Sequence, residues 1–238
     1  GGIESACKNT PMRHDETPLN PHSSLSREAA SAHSDLEEMT SREKMLSGLP
    51  YDPGLPDLLD EQVQAQELMY EYNATRPRQG KERQRLLRKM FATIGTGCHV
   101  EPPLHANWGG RQVHFGNNIY ANFALTLVDD GEIFVGDNVM FGPNVVLATA
   151  GHPVLPEPRS RGVQFNLPIH IERNVWLGAN ATVLPGVRIG ENSVIGAGSV
   201  VSNDVPPNVV AAGVPCKVLR PISERDREFY WRDLRFPN

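Results

Sequence analysis

The feature that most constrains this chain is a stretch of strict six-residue spacing, IERNVW LGANAT VLPGVR IGENSV IGAGSV VSND, from Ile171 to Asp204. An aliphatic side chain stands at each sixth position: Ile171, Leu177, Val183, Ile189, Ile195 and Val201. A helix would need apolar residues three and four apart, and a flat strand would need sustained alternation. Neither fits. Three residues beyond each aliphatic come Asn174, Asn180, Gly186, Asn192, Gly198 and Asp204, types that tolerate positive φ at a turn. Two residues before each come Ile169, Val175, Ala181, Val187, Ser193 and Ser199, mostly small or β-branched, as suits a second inward side chain where three walls converge. The unit is therefore strand, turn, strand, turn. It cannot bury its apolar face alone, but stacked coils can, each short strand pairing with the coil below. The expected core is a parallel β-helix.

The rhythm is present earlier in irregular form. Phe115, Ala121 and Leu127 keep it, and after a two-residue slip Val135, Phe141 and Leu147 resume it, with Asn118, Asn138 and Asn144 at the turn position. The slip, VDDGE at 128–132, has to bulge outward, because an interior insertion would break the stack. A longer interruption, GHPVLPEPRSRGVQFNLP at 151–168, contains four prolines and no hexads. It reads as an external loop, and loops of that length inside a compact repeat are usually functional.

The flanks differ in kind. Residues 1–37 are rich in Ser, Pro, His and charge and read as a disordered tail. Residues 38–95 read as a helical segment: SREKML opens on an N-cap at Ser41 and ends at Gly48. Leu59, Val63, Leu68, Met69 and Tyr72 mark a second helix over 57–73, and Leu86, Leu87, Met90 and Phe91 a third over 81–91. Such helices can cap the open end of a coil stack, where unpaired backbone and an apolar disc would otherwise face water. The β-helix itself spans 96–216, and 217–238 form a tail with a short helix from 223 to 234.

With 238 residues and 39% hydrophobic content the chain can bury a sizeable core. No apolar run approaches the roughly 20 residues that span a bilayer, and the N-terminus has no signal-peptide pattern. A net charge of −5 argues against a broad nucleic-acid surface and leaves room for a local phosphate site. Cys7, Cys98 and Cys216 are scattered and odd in number, with neither disulfide nor zinc spacing, which points to a reducing, cytoplasmic setting.

The helical opening ending in LMYEYN, the pair FATIG and VEPP, the run YANFALTLVDD, the segment TAGHPV, the coils NVWLGANATVLPGV and the ending NVVAAGVPCKVLR together resemble the hexapeptide-repeat acyltransferases. Within them the match is to the maltose and galactoside O-acetyltransferase branch. It covers roughly residues 40–222. The resemblance implies a left-handed β-helix, acetyl-CoA as acyl donor with no metal required, a sugar or glycoside acceptor, and a homotrimer with sites between subunits.

It also implies roles for particular residues. His152 in TAGHP matches the family's catalytic histidine, and an imidazole titrating near neutrality suits a general base. Asn122 and Asp130 match contacts to the acceptor sugar; taken alone, an asparagine in a turn and a solvated aspartate would explain them as well. Asp52 lies near the position of a second acidic contact. Ala179, Ala197, Ser202 and Asn203 match coenzyme A contacts made largely through backbone, with Trp176 able to flank that tunnel. Lys217 and Arg220 match basic positions near the nucleotide phosphates. Asn107, where galactoside-type members can have serine, and Gln164, where some have methionine, depart from the pattern and leave the acceptor open.

Two other readings stand beside this one. A zinc-dependent β-helix enzyme needs three converging histidines, and His99, His105, His114, His152 and His170 show no such repeated placement. A non-catalytic scaffold needs neither GHP nor a basic pair near the C-terminus.

Overall fold

A computed structural model describes residues 39–237; the tail read over 1–37 lies outside them. From residue 93 onward the chain winds into a three-walled prism of parallel coils. Wall one contains Thr93–Ile94, Val113–Phe115, Ile133–Val135, Ile169–Ile171 and Arg188–Ile189. Wall two contains His99–Val100, Tyr120–Ala121, Met140–Phe141, Trp176–Leu177, Val194–Ile195 and Val209–Gly213. Wall three contains His105–Ala106, Thr126–Val128, Val146–Ala148, Thr182–Val183 and Val200–Val201.

The register follows the hexads. Ile171 pairs with Ile189, Leu177 with Ile195 and Val183 with Val201, so each coil consumes three hexads. All six aliphatics are buried, as are Ile169, Val175, Ala181, Val187, Ser193 and Ser199 two positions before them. The inward serines are satisfied locally: Ser193 Oγ donates to the Pro206 carbonyl and Ser199 Oγ to that of Gly196. Asn174, Asn180, Gly186, Asn192 and Gly198 all take positive φ. Asp204 does not. Its carboxylate accepts the Arg188 N–H at 2.8 Å instead, a side-chain cap where the regular coils stop.

The earlier hexads pair as expected, Phe115 with Val135, Ala121 with Phe141 and Leu127 with Leu147. A first coil at Ile94, Val100 and Ala106 precedes them, so the prism begins ahead of the boundary drawn at 96. The hexads hide it because residues 107–112 intervene before Val113. The boundary drawn at 216/217 falls inside a strand, Cys216–Pro221, which runs antiparallel to Val209–Gly213. The C-terminal helix is confined to Arg225–Glu228, and Phe229–Trp231 with Leu234–Arg235 forms a hairpin beyond it.

Three helices precede the prism, α1 (Ser41–Leu46), α2 (Pro56–Asn73) and α3 (Gly80–Met90); α2 and α3 cover the first coil, and α1 packs on α2 and on Phe165–Asn166. The cap of α1 is Thr40 rather than Ser41, with Thr40 and Glu43 forming a reciprocal capping box. The buried face of α2 is Leu58, Ala65, Met69 and Tyr72, while Leu59 and Val63 are exposed. The helices also satisfy edge carbonyls that no further coil can reach. Tyr72 Oη donates to the Val100 carbonyl at 2.5 Å, Asn73 Nδ2 to Leu104 at 2.8 Å and Gln84 Nε2 to Cys98 at 2.7 Å. Among the described residues no helix is long and apolar enough to cross a membrane.

Candidate active site

The VDDGE segment leaves the prism as expected, yet it is not solvated. Asp129, Asp130 and Gly131 are buried, because α1, α2 and the 107–112 insertion close over them with a second small core of Met45, Tyr51, Leu58 and Trp108. The Asp129 carboxylate accepts the Trp108 N–H at 2.7 Å and the Gly110 N–H at 2.9 Å. Burial pushes its carboxyl up to about 7; the Trp108 N–H opposes that rise and the charge of Asp130 adds to it. Asp130 is gripped on both oxygens, by Asn107 Nδ2 at 2.8 Å and by Gln164 Nε2 at 3.1 Å. The two positions that depart from the family pattern are therefore the two that hold this carboxylate.

Gln164 belongs to a buried network. Its Nε2 also lies within hydrogen-bonding distance of Tyr51 Oη and Asn166 Oδ1, while Asn166 Nδ2 reaches Tyr51 Oη and the Met45 carbonyl. Burial pushes the Tyr51 phenol up to about 12, so it stays neutral. Beside the network is a cavity of about 280 Å³ lined in part by Tyr51, Gln62, Asn107, Trp108, Asp130 and Gln164. Asp52 is exposed next to it, and its Oδ1 accepts the Gly54 N–H at 2.8 Å, closing a local turn.

The external loop is tied at its base. Ala150 pairs with Asn166 and Gly151 with Phe165, and the short helix Pro156–Ser160 forms its outer part. Buried Thr149 joins the loop to the aspartate bulge, donating to the Val128 carbonyl at 2.6 Å and accepting the Gly131 N–H at 2.8 Å. His152 is exposed, and its Nδ1 lies 2.8 Å from the Val163 carbonyl. A carbonyl oxygen only accepts, so Nδ1 carries a hydrogen, and in the neutral ring Nε2 is then the nitrogen with the free lone pair. Val163 and Gln164, adjacent in sequence, thus meet His152 and Asp130 respectively.

The other candidates fall on the two edges of wall three and on the sheet of wall two. Asn122, Ala179 and Ala197 lie on the corner where wall two turns into wall three, stacked by the register Ala121–Phe141–Leu177–Ile195. Coils approach closely there: a Cβ on Gly142 would come within 2.6 Å of Ala179 N, and one on Gly178 within 2.6 Å of Ala197 N. Ser202 and Asn203 lie on the opposite edge, exposed, at the level where wall three ends. Lys217 is exposed opposite Ala212. Arg220, read as a phosphate contact, has its guanidinium on Asp226 through two 2.8 Å bonds, which hold the Asp226 carboxyl well below the usual carboxylate range. Trp176 stands exposed between Met140 and Val194 on wall two. The histidines weighed as zinc ligands are dispersed: His99 stacks on Tyr120, while His114 and His170 flank Phe134.

Known proteins match this arrangement along most of its length. The maltose acetyltransferase hexapeptide capping motif matches residues 44–95, and the bacterial transferase hexapeptide, as six repeats, matches 168–203. The galactoside O-acetyltransferase of Lactococcus lactis subsp. lactis (strain IL1403) is 56% identical over 180 residues, 76% of this chain and 87% of that protein. The chain belongs to the maltose and galactoside O-acetyltransferase family. The galactoside O-acetyltransferase of Escherichia coli (strain K12) is 45% identical over 197 residues, 83% of this chain and 97% of that protein. A solved galactoside acetyltransferase in complex with coenzyme A is 44% identical, with a TM-score of 0.81, covering 84% of this chain and 100% of its own.

Several residues that build this acetyltransferase's cavity give no periodic signal. Trp108, Asp129 and Thr149 sit where the hexads are interrupted, Tyr51 sits in the link between α1 and α2, and the partner of His152 is a backbone atom with no signature. The doubled carboxylate at 129–130 was the one available cue, since two adjacent aspartates in a bulge have to be either solvated or held.

Proposed function

We propose that the protein transfers the acetyl group of acetyl-CoA directly to a hydroxyl of a sugar or glycoside, with His152 as general base. The observation that carries this reading is the Nδ1 contact with the Val163 carbonyl, which leaves Nε2 as the accepting nitrogen. A thioester is already an activated donor, whereas a sugar hydroxyl is a poor nucleophile until its proton is taken. His152 Nε2 takes that proton as the hydroxyl oxygen attacks the thioester carbonyl. The carbon–sulfur bond then breaks, and the coenzyme A thiolate leaves and is protonated. An acetyl ester and a free thiol result, with no covalent enzyme intermediate.

The cavity beside Asp130 holds the acceptor in this scheme. Asp130 offers a fixed hydrogen-bond acceptor there, and Asp52 a second carboxylate at the rim. Asn122 supplies an amide to the sugar or to the developing oxyanion. Coenzyme A lies along the coils past Ala179, Ala197, Ser202 and Asn203, with Lys217 near its phosphates; Arg220 joins Lys217 only by giving up its pairing with Asp226. His152 and Asn122 belong to opposite edges of wall three, so a homotrimer that sets one copy's edge against its neighbour's is part of the proposal. Exposed Tyr120, Met140 and Trp176 on wall two supply an apolar face for such packing. A cytoplasmic setting goes with this reading.

The test is release of coenzyme A thiol from acetyl-CoA with a panel of galactosides, glucosides, maltose and chitin fragments. Thiol above the no-acceptor blank is expected with at least one member, with the acetyl ester recovered on the sugar. A flat panel would remove the sugar acceptor from the reading.

A further inference from the structure

One peptide group of the external loop is held from both sides. The Val163 carbonyl accepts from His152 Nδ1 at 2.8 Å, and the N–H at the other end of that group, belonging to Gln164, donates to the Tyr51 carbonyl at 3.0 Å. A planar trans peptide points its C=O and N–H in opposite directions, so it cannot turn while keeping both partners. The Tyr51 N–H returns a bond to the Gln164 carbonyl at 2.8 Å, completing an antiparallel bridge. That bridge stands alone. On one side Pro53 has no N–H to continue it, and on the other the Leu49 N–H is turned to Ser47 Oγ. What fixes it is the Tyr51 ring, buried with Met45, Leu58 and Trp108, its Oη receiving Gln164 Nε2 and Asn166 Nδ2 at 2.9 and 3.0 Å. The loop offers no substitute, since most of residues 153–162 are exposed, as is His152 itself, where water competes for Nδ1.

Resting on the acyl transfer proposed above, we infer that Tyr51 is a positioning residue for the base: its main-chain carbonyl sets the tilt of the Val163–Gln164 peptide group, and through it the tautomer of His152. The pairing of Gly151 with Phe165 brings the Val163 carbonyl near the imidazole; the Tyr51 bridge gives it direction. Hydrogen bonds in such a chain polarise one another. Donation by the Gln164 N–H makes the Val163 oxygen a better acceptor, and its pull on Nδ1–H makes Nε2 more basic. The link between α1 and α2 thereby serves the chemistry as well as the covering of the coils.

The experiment uses the whole chain with isotope-labelled histidine and reads imidazole tautomers by nitrogen NMR, the His152 signals being those lost in His152→Ala. In the wild type the neutral ring is expected as the Nδ1–H form. Tyr51→Ala should bring in the Nε2–H form and lower kcat about tenfold, the scale of one hydrogen bond, with coenzyme A affinity unchanged. Tyr51→Phe keeps the ring in its core and should hold both the Nδ1–H form and most of kcat. Gln164→Pro removes the N–H itself with Tyr51 in place, and should give the same tautomer shift, so the test stands even where Tyr51→Ala does not fold. The Nδ1–H form undiminished in either folded variant would overturn the assignment, as would an unchanged kcat in Tyr51→Ala. So would a Phe variant as impaired as the Ala one, because the hydroxyl and not the bridge would then be responsible. A wild-type enzyme that acetylates no sugar would instead strike the acyl-transfer reading, with the tautomer comparison still deciding the role of Tyr51.

Discussion

The coils after Pro168 and those before it are made from the same unit, yet they bury different things. From Ile169 to Val201 the interior is aliphatic apart from Ser193 and Ser199, and both hydroxyls bond to backbone within their own neighbourhood. Between residues 107 and 166 the buried set includes Gln112, Asp129, Asp130, Thr149, Gln164 and Asn166. These bond mostly across insertions. The first region is held by repetition, in which every coil solves the same packing problem. The second is held by a network in which each polar group depends on a partner far away in sequence, and removing one strands another.

This contrast predicts a separation of stability from activity. The largest effect is expected from Leu177→Ala in the regular region. Leu177 is fully buried between Phe141 and Ile195, and its truncation should cost about 3 kcal/mol in urea unfolding, with residual activity tracking the folded fraction. If it leaves stability intact, the regular coils are not the stability reserve. His152→Ala should do the converse. Turnover is expected to fall at least about a hundredfold, while the thermal midpoint and coenzyme A binding stay near wild type. Unchanged turnover would take the base away from this histidine.

A subtler test lies in pH. The Asp129 carboxyl is raised to about 7 in the folded protein from an ordinary value near 3.9 when unfolded. The folded state therefore holds the proton more tightly, and this contribution is fully present below about pH 4 and lost as pH rises to about 7. Wild-type stability should fall relative to Asp129→Asn across that window and run parallel above it, measured by denaturant midpoints at a series of pH values. Parallel curves throughout would mean that Asp129 is ionised at all these pH values in the folded protein. The smallest effect has the opposite sign. Ala124 occupies a turn position at φ 59° where other coils use Asn or Gly, and Ala124→Gly should stabilise by about 0.5–1 kcal/mol. A loss of stability would show that the Ala124 methyl contributes contacts outweighing its backbone strain.

The same contrast governs what could be read in advance. Regular coils are legible because a buried aliphatic and a left-handed turn recur at fixed offsets, and even the pairing of Phe115 with Val135 followed from counting across the slip. The first coil, at Ile94, Val100 and Ala106, lay mostly inside the span drawn from 96, but its register was not legible, since the 107–112 insertion breaks the count. Asp130 was expected to bulge outward and did so, but its burial depends on Tyr51, Leu58 and Trp108 folding over it, and no local pattern encodes that. His152 stood out through its motif. The Val163 carbonyl that meets it could not, because every residue has one. Arg220 was legible as a charge, whereas its pairing with Asp226 requires the turn between them.

That carbonyl has an evolutionary consequence. A residue whose orientation depended on a side chain could lose it through one substitution. Here the orienting atom is main chain, delivered by the pairing of Gly151 with Phe165. Side-chain replacements at position 163 should leave the imidazole aligned, while a residue inserted or deleted between 153 and 162 can rotate the carbonyl away. The loop is thus free to vary in sequence and constrained in length, and on the proposed mechanism its side chains can change without turning the base out of line.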